Sequence, residues 1–341
     1  MPVAANYPAS PASRDRFVLE RRRARPVLDP WRHQGVLVEE ERGPGGEVAR
    51  SATVFLTARE CPWRCVMCDL WRYTTESDTP RGAVARQIAQ ATDDLLRAGP
   101  LPPSQIKLYN AGSFFDPRAV PPQDYADIAE TLRPYGRVIV ESHPLLVGRR
   151  LDEFRDACVH AAGPDGPPEI EVAMGLETAH PEALARLHKR VTLPQFVRAA
   201  ERVRAAGAAL RVFLLVGVPF VPSEQQADWL RRSVAVAREC GATAIALIPL
   251  RRGNGAVETL EVSGDAVVPT LEALEAALAD ALSAPGPGTC RVFADLWDVE
   301  RFATCASCVV ARRARLDRMN RTQVVEPPVT CAACHERKGV A

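Results

Sequence analysis

The sequence predicts an α/β fold, a partial parallel (β/α)6 barrel with an N-terminal extension and a small cysteine-rich C-terminal module. Three observations lead there. Short runs of apolar, β-branched residues alternate with longer amphipathic segments, the pattern of βα units around a parallel sheet. Glycines, cysteines and polar residues gather where those runs end, which is where parallel α/β folds place their chemistry. Past residue 284 the alternation stops and two Cys-x2-Cys pairs follow. The expected divisions are 1–50, 51–284 and 285–341.

In chain order, the first thirty residues are rich in Pro and Arg and are expected to be poorly ordered. "GVLVEEERGPGGEVARSATVFLT" predicts two strands joined at Gly43, Pro44, Gly45 and Gly46. A strand over 52–57 leads into a cysteine loop, and 81–97 reads as a helix. Strands then follow at 106–110 ("IKLYN"), 137–142 ("RVIVES"), 169–177 ("EIEVAMGLE"), 210–217 ("LRVFLLVG") and 243–249 ("TAIALIP"). Helices fall between them at 122–133, 149–161, 181–188, 194–206 and 223–239, and one more at 270–283. "PLRRGNGAVETL" reads as a loop at the barrel mouth, where Arg251 and Arg252 either meet an anionic substrate or simply face water. Pro285, Gly286, Pro287 and Gly288 mark the last boundary.

Apolar residues make up 47% and charged ones 25%, the balance of a soluble globular chain. No apolar run approaches a membrane span, and the N-terminus lacks the apolar core of a signal peptide. The expected location is the cytoplasm, with no membrane partner. In that reducing compartment, clustered cysteines read as metal ligands rather than disulfides. Cys158, Cys240 and Cys290 stand alone and read as small buried apolar residues. A net charge of +1 excludes a global basic field for nucleic acid. Arginines nevertheless cluster at Arg14, Arg16, Arg21, Arg22, Arg23 and Arg25, and again within 309–321. Such clusters either reach phosphates or cover solvated helix faces.

The stretch "TARECPWRCVMCDLW" places Cys61, Cys65 and Cys68 in eight residues, with no fourth cysteine nearby. Structural zinc and electron-transfer clusters want four ligands. Three thiolates on a 4Fe-4S cubane leave one iron open to chelate a small molecule through an amine and a carboxylate. This spacing after the first strand of an α/β repeat resembles the radical S-adenosylmethionine superfamily. The resemblance implies a 4Fe-4S cluster on these cysteines, S-adenosylmethionine on the open iron, and a 5′-deoxyadenosyl radical as the working species. Met67 stands where relatives often have an aromatic residue, with Trp71 close by.

"YNAGSFFDPRAVP" is similar to the Gly-rich segment that meets the methionine amino group, which implies Gly112 and Ser113 as cofactor contacts. "VESHP", "GLETAHPEALARLHKRVTLPQFVRAAERVRAAG" and "LLVGVPF" resemble the Elongator-catalytic-subunit-like branch, and within it the radical subunit of archaeosine synthase. That likeness spans roughly 51–283. It implies Glu177 at the ribose or amino-acid end of the cofactor. It also implies Lys189, neighbour of Arg190, where several relatives have an arginine for the carboxylate. The further implications are a reductant such as flavodoxin or ferredoxin and a tRNA base or nucleoside-like substrate. No residue stands out as a general base, which suits hydrogen-atom abstraction.

Cys305, Cys308, Cys331 and Cys334 form two knuckles separated by 22 residues. They suit zinc or an auxiliary Fe-S cluster, and thiolates alone do not separate the two. His335 reads as a surface residue. Two other functions stay open: radical chemistry in small-molecule biosynthesis, and a non-catalytic zinc and iron–sulfur interaction protein.

Overall fold

The computed structural model describes residues 7–99, 103–284 and 290–334. In chain order the elements are α1 (Pro11–Leu19), β1 (Gly35–Arg42), β2 (Val48–Phe55), α2 (Ala83–Ala98), β3 (Gln105–Tyr109) and α3 (Tyr125–Leu132). Next come β4 (Arg137–Glu141), α4 (Arg149–His160), β5 (Glu169–Glu177), α5 (Pro181–Arg186), α6 (Leu193–Ala205) and β6 (Ala209–Val216). The last are α7 (Gln226–Glu239), β7 (Ala244–Pro249), α8 (Ala256–Ser263), α9 (Leu271–Ser283), β8 (Arg291–Ala294) and α10 (Val309–Thr322).

Eight strands form one sheet in chain order. β1 pairs antiparallel with β2, from Gly35↔Phe55 to Arg42↔Val48, as the Gly-Pro-Gly-Gly turn predicts. β2 to β8 run parallel. The sheet curls into a nearly closed barrel, because inward side chains of distant strands meet. Glu41 on β1 pairs with Arg211 on β6, and Glu171 on β5 with Arg291 on β8. Across the seam, Arg291 Nη1 donates to the Arg42 carbonyl at 3.0 Å.

The barrel interior is charged at its base rather than filled with Val and Ile. Lys107, Arg137, Arg211 and Arg291 surround Glu41 and Glu171 there. Burial alone would push Glu171 up, but Arg211, Arg291 and Arg137 outweigh it and hold its carboxyl below the ordinary value. Each buried carboxylate is thus paired and hydrogen-bonded, which such burial requires. The apolar core lies outside the sheet, under the helices, and includes Val138, Val172, Leu210, Ile245, Phe154 and Phe196.

The six predicted strands and their helices are present, with ends shifted by a few residues. Four elements go beyond the expectation. Within the segment expected to be poorly ordered, α1 forms from Ser10, whose hydroxyl accepts the Ser13 N–H, and buries Phe17 and Val18. Those two side chains join Val66, Leu187 and Leu260 in a second apolar cluster, worth roughly 1.5–3 kcal/mol per side chain. The Arg251 region is not all loop, since α8 follows it and buries Ala256, Val257 and Leu260. β8 adds a seventh parallel strand beyond residue 284, and α10 packs against it. The Pro285 to Gly288 boundary and His335 lie outside the described residues. Among the described residues no helix is long and apolar enough to cross a membrane.

Candidate functional site

The cysteine loop leaves the C-terminal end of β2 and is tied down on several sides. Val66 N–H donates to the Leu187 carbonyl at 3.0 Å, and Arg64 Nη1 donates to the Cys61 and Trp63 carbonyls at 2.7 and 3.0 Å. Asn254 Nδ2 donates to the carbonyls of Val66 (2.6 Å) and Cys68 (3.2 Å), while its Oδ1 accepts the Val257 N–H. Trp63 stacks on His143, which follows β4. Cys61, Cys65 and Cys68 are partly buried free thiols. Burial pushes all three up, Cys65 to about 12, so without a cation beside them they stay protonated.

Around the loop the ends of three further strands converge. After β3, Ala111 is left-handed (φ 52°), and Gly112 brings backbone against backbone. A Cβ at Gly112 would lie 3.2 Å from the Arg59 carbonyl oxygen and 3.5 Å from the Cys61 nitrogen. Asn110, beside it, is buried with both side-chain polar atoms unpartnered. At the end of β4, Glu141 has an unpartnered Oε1. Burial pushes its carboxyl up to about 7, against the opposing pull of the Asn110, Gly112 and Ala111 backbone amides and of Lys189.

At the end of β5 the register with β6 shifts between Gly175 and Glu177, and Glu177 takes φ 66°. That bulge turns its carboxylate to Lys189, whose Nζ donates to Oε1 at 2.6 Å. Burial opposes the ammonium charge, but Glu177 outweighs it and holds Lys189 above its ordinary value. Lys189 also bears electrostatically on Cys65 and Cys61. It sits between two left-handed residues, His188 (φ 60°) and Arg190 (φ 58°), a strained local backbone that persists only where neighbours hold it. Asp15 on α1 does so, pairing with both flanking side chains.

The residues present fit the cluster and cofactor implied by the sequence. Three thiols share one loop, Gly112 lets the backbone after β3 lie against that loop, and Asn110 and Glu141 hold unpartnered buried polar atoms. Lys189 supplies a buried cation and Glu141 an acceptor, a donor set matched to a carboxylate and an amine.

Of the residues expected from sequence, Cys61, Cys65, Cys68, Gly112, Glu177 and Lys189 come together at this mouth. Ser113 is fully buried, and its hydroxyl is spent on Ser142 Oγ (3.0 Å) and the His143 N–H (3.1 Å). Met67 packs against the second apolar cluster, and Trp71 lies beneath Arg22 and Arg25. Arg251 and Arg252 are engaged internally, with Asp295 and Glu261. Glu141 was expected from sequence at the end of a strand with no role assigned, while Asn110, Asn254 and Asp15 joined the site only through the fold. The Gly-Asn-Gly turn was the one local signal for Asn254.

Arginines of both clusters are also engaged internally. Arg22 and Arg25 converge on Glu60. On α10, Arg312 and Arg315 meet Glu275, Arg313 meets Glu300, Arg318 meets Glu326 and Arg321 meets Glu40. Cys158 and Cys240 are buried and Cys290 partly so. Cys305, Cys308, Cys331 and Cys334 bring their sulfurs within 4.8 Å of one another.

A three-cysteine loop at the mouth of a parallel βα barrel is what the resemblance to radical S-adenosylmethionine proteins implies, and the likeness to archaeosine synthase is matched by relatives of that name. The chain is 28% identical over 198 residues to archaeosine synthase subunit beta of Methanosarcina acetivorans, covering 55% of this chain and 54% of that protein. It is 27% identical over 174 residues to the Thermococcus kodakarensis protein of the same name, covering 50% and 51%. The chain thus spans about half the length of the curated relatives it matches. In fold it is similar to Methanocaldococcus infernus Elp3 with an N-terminal deletion, at TM-score 0.53 and 12% identity, over 69% of this chain and 59% of that one. No protein-family model matches.

Proposed function

We propose that this chain is a radical S-adenosylmethionine enzyme of the cytoplasm that modifies a tRNA base or a nucleoside-like substrate. The observation that carries the reading is the loop of Cys61, Cys65 and Cys68 facing the buried Lys189–Glu177 pair at one barrel mouth. The three thiolates would hold the 4Fe-4S cluster. Lys189 would take the cofactor's carboxylate, Glu141 and the backbone at Gly112 and Ser113 its amine end, and Glu177 would orient Lys189 and meet the ribose. When bound, cluster and S-adenosylmethionine supply the electron transfer and the hydrogen-abstracting radical. The chain's own part is to hold them still and dry, through the Asn254, Trp63 and Asp15 contacts.

The names of the relatives support a tRNA substrate and a partner subunit. The chemistry would also need a one-electron donor, such as a flavodoxin or ferredoxin. A small-molecule substrate is the second reading. One observation favours it: the arginines of α10 are paired with carboxylates of this chain rather than left to phosphates.

The test is anaerobic. The chain is reconstituted with iron and sulfide, reduced with dithionite, given S-adenosylmethionine and assayed for 5′-deoxyadenosine. Product from wild type and none from a Cys61→Ala, Cys65→Ala, Cys68→Ala variant is expected. An intact cluster that neither cleaves nor binds S-adenosylmethionine would overturn the reading. Salt-sensitive binding of tRNA, with turnover on it, separates the two substrate classes.

A further inference from the structure

The barrel has an open seam, and the chain fills it in an unusual way. β8 is the last strand among the described residues, and the N–H groups of Arg291 and of Asp295, just past its end, donate to the Thr243 and Leu247 carbonyls on the β7 side. The alternate residues, Val292 and Ala294, therefore point their backbone groups away from β7 into the seam. Unpaired, such an edge is costly when covered and adhesive when exposed.

Two side-chain amides of α10 take the place of a further strand. Asn320 Oδ1 accepts the Ala294 N–H at 2.8 Å and its Nδ2 donates to the Ala294 carbonyl at 2.9 Å. Gln323 Oε1 accepts the Val292 N–H at 2.6 Å and its Nε2 donates to the Val292 carbonyl at 2.9 Å. The spacing i, i+3 on the helix matches the spacing of two along the strand, so both outward pairs are satisfied. Arg321 reaches across to Glu40 on β1 at 3.0 Å, so α10 touches both lips of the seam.

α10 is fastened at its other end by the four cysteines. Cys308 is its N-cap residue and Cys305 lies just before it. The chain then returns along the helix, where the Arg315 guanidinium donates to the Glu326 and Pro327 carbonyls, and brings Cys331 and Cys334 back to the start. Cys305 and Cys331 sulfurs lie 4.0 Å apart, and Cys308 and Cys334 sulfurs 3.7 Å. A tetrahedral ion with bonds of about 2.3 Å separates its sulfurs by about 3.8 Å. A cubane carries its thiolates on the outer corners of an eight-atom core and must spread them further. Arg312 Nε donates to Cys308 Sγ at 3.2 Å, balancing thiolate charge, and pairs with Glu275 on α9.

We propose that Cys305, Cys308, Cys331 and Cys334 hold one tetrahedral zinc ion, and that this ion staples α10 into the seam, where Asn320 and Gln323 replace an edge strand. The ion closes the loop from Cys305 to Cys334, so α10 and its return arm order together with metal binding. The proposal is independent of the reading of the first cysteine loop.

The test uses the full chain carrying Cys61→Ala, Cys65→Ala and Cys68→Ala, produced with iron, sulfide and zinc all supplied. One zinc per chain is expected. Iron, with or without inorganic sulfide, or no metal at all, would overturn the assignment. Hydrogen exchange is then compared before and after a chelator removes the zinc. Exchange at the Val292 and Ala294 amides should accelerate roughly tenfold or more, while Val138 and Val172 in the opposite wall stay protected. Unchanged exchange at Val292 and Ala294, or equal loss of protection throughout, would overturn the local staple. The Asn320→Ala, Gln323→Ala double variant, with zinc retained, should expose the same two amides. If it leaves them protected, the amides do not close the edge.

Discussion

Trp63 lies flat on His143, with ring centroids 3.5 Å apart and planes 9° from parallel. The contact joins the cysteine loop to the segment after β4, two elements that otherwise share no ladder. His143 can serve as a fixed platform because it stays neutral. Burial pushes its ring down to about 3, helped by the nearby Lys189 charge. A single proton on Nε2 then satisfies the ring, which donates to the Lys189 carbonyl at 3.0 Å and accepts the Leu145 N–H on Nδ1. Removing the upper ring should free the loop: Trp63→Ala forfeits about 1 kcal/mol of ring contact, or about fivefold. We expect the 4Fe-4S absorbance of the reconstituted variant to bleach in air about fivefold faster, with Trp63→Phe restoring most of the protection. Equal bleaching rates would mean that the stack does not position the loop.

Asp15 acts at one remove, by holding His188 and Arg190 on either side of Lys189. The pair with Arg190 is exposed and contributes little alone, but the His188 side is buried and fixes a left-handed backbone. Asp15→Ala should weaken S-adenosylmethionine binding about tenfold, measured by equilibrium titration of the reconstituted protein, and shift thermal stability only slightly. Unchanged affinity would show that the Lys189 segment holds its own shape.

How much of this was legible beforehand follows from what each residue's role depends on. The strands and most helices were legible because apolar periodicity is local, and the three cysteines because their spacing is. α1 was obscured by its arginines. Phe17 and Val18 make a helix face only once Val66 and Leu187 are there to cover. β8 has four residues, too short for a period, and its edge is satisfied by side chains 26 and 31 positions away. Asn110, Asp15 and Asn254 are ordinary polar residues in sequence, and only the barrel brings them to one mouth. The arginines on α10 misled in the opposite direction, since their carboxylate partners lie on distant elements.

Glu141 gives the site a pH signature. Its folded value of about 7 lies above the roughly 4.3 of an unfolded glutamate, so between those values the folded chain binds more protons than the unfolded one. Stability must therefore fall as pH rises from about 4.5 to 7 and level off above. Glu141→Gln keeps an acceptor for the backbone amides and removes the charge. In the absence of S-adenosylmethionine, the variant should match wild type near pH 4.5 and exceed it at pH 8 by on the order of 2 kcal/mol, since the group is only partly buried. Melting curves at the two pH values decide it. A difference that does not change with pH would show that Glu141 ionises at an ordinary value.

Gly175 makes room for the ion pair at the centre of the site. A Cβ built there would overlap Glu177 Oε1 and Lys189 Nζ, which lie 2.6 Å from each other in a buried setting. Elsewhere in a strand, replacing glycine by alanine is neutral or mildly favourable, because the unfolded chain loses freedom. Here it should force the pair apart and leave two buried charges poorly compensated, at a cost of about 3 kcal/mol. Gly175→Ala is expected to lower stability by that amount and to abolish detectable S-adenosylmethionine binding. The cause can be isolated in a background where no pair exists to be split. In the Glu177→Gln, Lys189→Met double variant, the same substitution should cost less than about 1 kcal/mol, a coupling that denaturant titration of the four proteins would reveal. An equal penalty in both backgrounds would locate the clash in the β5 backbone rather than in the pair.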